Sequence, residues 1–251
     1  MTLDNYYIIR IGDFATNANT KIYYSLFTLL LCADDYLSNH SNDCFVIMSY
    51  STIIWTIIEF FLHVTNTRVI KPMNLYFINR IYEVPCYIGI FLQGFQEGGC
   101  VTTIGLFFGD RLFQWQYVVY LHFLIGYIVY NVAKKKKINN CCSKRVVNSY
   151  SSVLLMSIVT LYDLKNMYQY SNHYYRQLRM LFVMIYVCLF WTFVTWYKGF
   201  RKVEVYKLNE NNQELILPHS VLNTFVVLLY DVVFEIGFAY LFFYNILLQK
   251  M

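Results

Sequence analysis

Six stretches of this sequence are apolar over nearly their whole length: 44–64, 84–108, 113–133, 146–162, 180–197 and 220–247. A helix rises about 1.5 Å per residue and the hydrocarbon layer of a bilayer is about 30 Å thick, so roughly 20 apolar residues suffice to cross it. A seventh stretch, 22–33, is shorter and is closed by Asp34 and Asp35. It is expected to cross as a short or tilted span, with an interfacial segment as the alternative. The pattern predicts an all-α, multi-pass transmembrane helix bundle of seven helices, or six if 22–33 does not span. Pro85 and Pro218 stand where helices would begin, and a missing amide proton costs nothing in a first turn. Only 14% of the residues are charged, against roughly 25% in soluble domains, so too little polar surface exists to cover a water-exposed globule of this size.

The longest connection, 198–219, is too short for a soluble domain. A single membrane-embedded domain is therefore expected over 1–251, with an N-terminal segment 1–21 and a bundle over 22–247. Residues 1–21 lack a continuous apolar run and a small-residue cleavage site, so the first apolar stretch is expected to act as an uncleaved signal. The seven cysteines form no C-x-x-C pair, and no disulfide framework or zinc knuckle is expected.

Loop charge sets the orientation. One set of connections carries Arg68, Lys71, Arg80, Lys134, Lys135, Lys136, Lys137, Lys144, Arg145, Lys198, Arg201, Lys202 and Lys207. The alternate set carries Arg111, Lys165, Arg176 and Arg179. Basic loops stay cytoplasmic, which puts the N-terminus inside and, with seven spans, the C-terminus outside. The sequon at Asn39 then falls outside as a glycosylation candidate. Lys134, Lys135, Lys136 and Lys137 read as a stop-transfer cluster. Their sharper reading is an anionic-lipid contact beside a palmitoylated pair, Cys141 and Cys142. The net charge of +5 is thus assigned to the membrane surface, and no nucleic-acid partner is expected.

Four acids stand inside the apolar stretches, which contain no Lys or Arg: Glu59, Glu97, Asp231 and Glu235. A carboxylate in hydrocarbon costs about 2.5–3.5 kcal/mol on insertion scales, so such groups turn toward a bundle interior. Glu97, Asp231, Glu235 and His122 lie near the middle of their stretches. Asp231 and Glu235, and likewise Glu59 and His63, are four residues apart and share a helix face. With no cation inside the spans, a proton, an inorganic cation or a cationic substrate is the implied partner. A polar interior is also marked by Ser149, Ser151, Ser152, Ser157 and Thr160 in the fifth stretch and by Asn245 in the last. The spacings Gly94/Gly98 and Gly105/Gly109 are expected to admit a neighbouring helix closely, and Gly98-Gly99 offers a helix break beside Glu97.

The function expected from this pattern is a cation- or proton-linked transporter or channel. Glu97, Asp231 and Glu235 would form its central site, His122 a neighbouring relay, and Glu59–His63 the inner end of the path. A membrane-embedded, metal-dependent enzyme acting on lipid would use the same acids with His63 and His122. Glu59 and His63 are one residue too far apart for the Glu-x-x-His of di-iron bundles, and H-E-x-x-H is absent. A structural or assembly protein, its acids serving only packing, is the third reading.

Overall fold

A computed structural model describes residues 5–11, 17–65, 68, 71–111, 115–134, 141–208 and 214–248. The chain is mostly helical, with seven helices among the described residues. We label them α1 (Ala18–Asn39), α2 (Asp43–Val64), α3 (86–111), α4 (Trp115–Lys134), α5 (Tyr150–Gln169), α6 (Tyr174–Tyr197) and α7 (221–248). Side-chain caps start three of them: Asn17 accepts from the Thr20 amide, Ser149 from Ser152 and Ser220 from Asn223.

Three helical stretches, Asp43–Val64, Ser171–Tyr197 and Val221–Asn245, are long and apolar enough to cross a membrane by length and composition. Helix α2 shows why. Ile53, Ile57 and Phe61, spaced by four, are exposed, whereas Ser51, Thr52 and Glu59 are buried. Apolar outside and polar inside is the reverse of a water-soluble helix.

The fold is not all-α. The expected N-terminal segment and connections form strands: β1 (Asn5–Ile11), β2 (Met73–Phe77), β3 (Arg80–Val84), β4 (Cys141–Val146), β5 (Arg201–Leu208) and β6 (Glu214–Leu217). An antiparallel four-stranded sheet runs β4-β1-β5-β6, and β2-β3 is a separate hairpin. The physical reason lies in period-2 alternation: Arg201, Val203 and Val205 face one side of β5, with Lys202, Glu204 and Tyr206 on the other. The register sets Ile8 opposite Arg145 and Val203, and Arg10 opposite Arg201. Arg10, Arg145 and Arg201 thus share the face of Ile8. That face packs on the bundle, where Ile8 and Val203 meet Val227 and Leu228 of α7. On the opposite face Lys144 lies over the Tyr7 and Tyr206 rings at 4.5 and 3.8 Å. The hairpin is tied to the start of α1: the Asn19 side chain donates to the Tyr76 carbonyl and accepts from the Tyr76 amide.

The glycine spacings of α3 bring helices together. A Cβ on Gly94 or Gly98 would meet the Thr56 backbone at 2.7 Å or the Ser51 carbonyl at 2.6 Å, both on α2. Gly105 and Gly109 face Met184 and Met180 of α6 in the same way. Gly98-Gly99 does not break the helix. Instead Phe95–Cys100 winds as a π-helix, and Phe107–Arg111 and Asp231–Phe238 do the same.

Candidate functional site: a buried charge layer beneath the sheet

Each π-helical segment carries acids that meet arginines: Glu97, Asp110, and the pair Asp231 and Glu235. Such wide turns recur at functional positions in helices. Glu97 accepts from Arg10 at 2.7 Å and from Arg68 at 3.0 Å, and the Trp55 indole donates to it at 3.3 Å. Arg68 also binds Glu59, which is fully buried. The buried amine of Lys21 donates to Gln93 and Gln96, and Gln93 donates in turn to Glu97.

On the other side of the layer the Arg145 guanidinium serves both carboxylates of the α7 pair, at 2.5 Å to Asp231 and 2.5 Å to Glu235. Arg201 donates to Asp231 at 2.9 Å and to the Thr192 hydroxyl at 2.9 Å. Ser152 of α5 donates to Glu235 at 3.4 Å.

All four acids flagged by the sequence therefore meet guanidinium groups. The sequence places no Lys or Arg inside the apolar stretches, yet the sheet and the segment after α2 supply the arginines from outside them. Electrostatics at those arginines follows. Burial pulls the Arg68 guanidinium down, and Glu59 and Glu97 more than reverse this, so it lies above its ordinary range. Arg145 behaves alike: burial lowers it, and Glu235 and Asp231 raise it further. At Arg201 burial wins, and Asp231 only partly offsets it, leaving the group at about 10.

The two histidines stand apart from these acids. His122 is exposed on α4, with its ring nitrogen 3.2 Å from the Tyr186 hydroxyl. His63 lies 3.7 Å from the Cys86 sulfur, while Glu59, one turn before it, turns to Arg68. Among the described residues no three His, Cys, Asp or Glu side chains gather where they could hold a metal ion. Asn39 is exposed at the end of α1, its amide bound to Asp35. Lys135, Lys136 and Lys137 lie outside the described residues, as do the side chains of Lys134, Cys141 and Cys142.

A second charge layer, not anticipated from the sequence, joins the opposite helix ends. Arg111 meets Asp35, Asp43 and Asp110, and Arg176 grips Asp110 through two nitrogens at 2.5 and 2.6 Å. Comparison with protein-family models, curated sequences and solved structures finds no match to this chain.

Proposed function

We propose that this chain is a seven-span membrane protein that carries protons or small cations, with the sheet as its cytoplasmic cap. In this reading the cap's guanidinium groups occupy the inner carboxylates at rest and give way to the transported cation when the cap shifts. The observation that carries it is the Arg145 guanidinium shared between Asp231 and Glu235, supplied by a strand outside the spans. Pairs formed between a helix and a cap can exchange partners without unfolding either, and a positive charge is what these acids accept. The cytoplasmic assignment rests on Lys144, Arg145, Arg201, Lys202 and Lys207 of the sheet, as the excess of basic residues in cytoplasmic loops requires.

One observation favours a second reading. Every inner acid already has an arginine partner, as a purely structural latch would need. Reconstitution into proteoliposomes separates the two, with proton, sodium and potassium movement followed under an imposed gradient and potential. Transport predicts flux in the native protein that Asp231→Asn/Glu235→Gln abolishes while gel-filtration behaviour is kept. No flux of any of the three cations through the native protein would leave the latch.

A further inference from the structure

Among the described residues seven acids of the bundle are wholly or largely buried, and six of them meet an arginine: Asp35, Glu59, Glu97, Asp110, Asp231 and Glu235. The seventh is Asp163 of α5, which is fully buried and has no ion-pair partner among the described residues. It belongs to a polar chain across three helices. The Asn245 amide of α7 donates to Asp163 Oδ1 at 2.6 Å, and the Gln177 amide of α6 donates to Asn245 Oδ1 at 3.0 Å. Gln177 and Asn245 are buried as well.

Three polar groups of this region are left over. Among the described residues, Asp163 Oδ2 and Gln177 Oε1 are buried with no hydrogen-bond partner. The Thr160 hydroxyl, three residues before Asp163 on the same helix, is a further buried oxygen without one. Buried acceptors left unmatched cost free energy, and an unbalanced carboxylate costs more. A positive charge with an affinity for hard oxygen ligands would balance the Asp163 carboxylate and give unmatched oxygens a partner. One carboxylate balances a monovalent ion, whereas a divalent one calls for more anionic ligands.

We propose that Asp163, with the Gln177 carbonyl and the Thr160 hydroxyl, binds one sodium-like alkali cation. The site is distinct from the charge layer beneath the sheet: Asn245 lies ten residues beyond Glu235 on α7, about 15 Å along the helix. It stands on burial and unmatched oxygens alone, so a failure of transport would not touch it.

Radiolabelled sodium binding to the detergent-purified full chain tests it, with choline replacing sodium at constant ionic strength. About one saturably bound sodium per chain is expected. Binding should be lost in Asp163→Asn, weakened about tenfold in the milder Thr160→Val by removal of one ligand, and kept in Asp231→Asn/Glu235→Gln. Absence of saturable binding in the native protein would overturn the assignment. So would binding that survives Asp163→Asn, or a melting temperature of the native protein that follows pH and ignores sodium.

Discussion

The two charge layers neutralise buried acids with cations of different origin. In the layer at the helix ends away from the sheet, termed outer by that position alone, Arg111, Arg176 and Arg179 belong to the helices they join. In the inner layer, the one beneath the sheet, no arginine among the described residues sits on a helix: Arg10, Arg145 and Arg201 are on strands, and Arg68 follows α2. An outer acid gains its partner when its helices pack, whereas Asp231 and Glu235 gain theirs only when the cap is in place. The outer layer fastens the bundle to itself. The inner layer makes the bundle and the sheet depend on each other.

The sharpest way to break this contrast is Arg68→Met. It leaves Glu59 buried without a cation, at a cost of about 3–5 kcal/mol in reversible unfolding from detergent micelles. Adding Glu59→Leu should recover most of that loss, because no unpaired charge then remains. A cost below about 1 kcal/mol for the single variant would mean that water reaches Glu59, contrary to its burial.

Helix approach should count equally in both layers. Gly98→Ala on the inner side and Gly109→Ala on the outer side each drive a methyl group against backbone, at 2.6 and 2.7 Å. Each is expected to cost about 1–3 kcal/mol in the same assay. A clear loss from one and none from the other would show that one helix contact yields.

Smaller effects sharpen the comparison within a single strand. Lys144 is next to Arg145 but faces away from the bundle, over Tyr7 and Tyr206. Lys144→Ala should cost only about 0.5–1 kcal/mol, while Arg145→Met should cost several times more. The smallest change belongs to Asp43→Asn in the outer layer, whose partially exposed carboxylate shares Arg111 with two other acids. About 0–1 kcal/mol is expected, shrinking further as salt is added to the melt.

Long apolar runs made most helices legible. The stretch 44–64 agrees with Asp43–Val64 to one residue, and 180–197 shares its end with α6. The stretch 22–33 is too short for α1, which runs Ala18–Asn39. Asp34 and Asp35 look like a boundary until Arg111, far along the chain, is brought to Asp35. The sheet carried a visible signal in the alternation of β5, but β1, β4 and β5 are far apart in sequence and give no local sign that they pair. The same distance hid the arginine partners of Glu97 and Asp231. Asp163 was missed by one position, because the apolar stretch 146–162 stops just before it. Nothing in the sequence marks the π-helical turns, since widening a helix by one residue per turn leaves no compositional trace.

The place of β1 in the sheet has a consequence for biosynthesis. This strand is made before the others of its sheet, yet it lies between β4 and β5, which follow it only after four and six helices have been made. Until then Arg10 has neither its neighbouring strands nor the whole charge layer around it. Closure of the cap therefore waits until synthesis has passed β5, and the contacts that close it join residues of very high sequence separation. A nascent chain arrested before Arg201 would carry β1 with only β4 as a neighbour, its other edge open for pairing with another chain. The completed sheet in this way reports that synthesis has passed Arg201 and that six helices lie behind it.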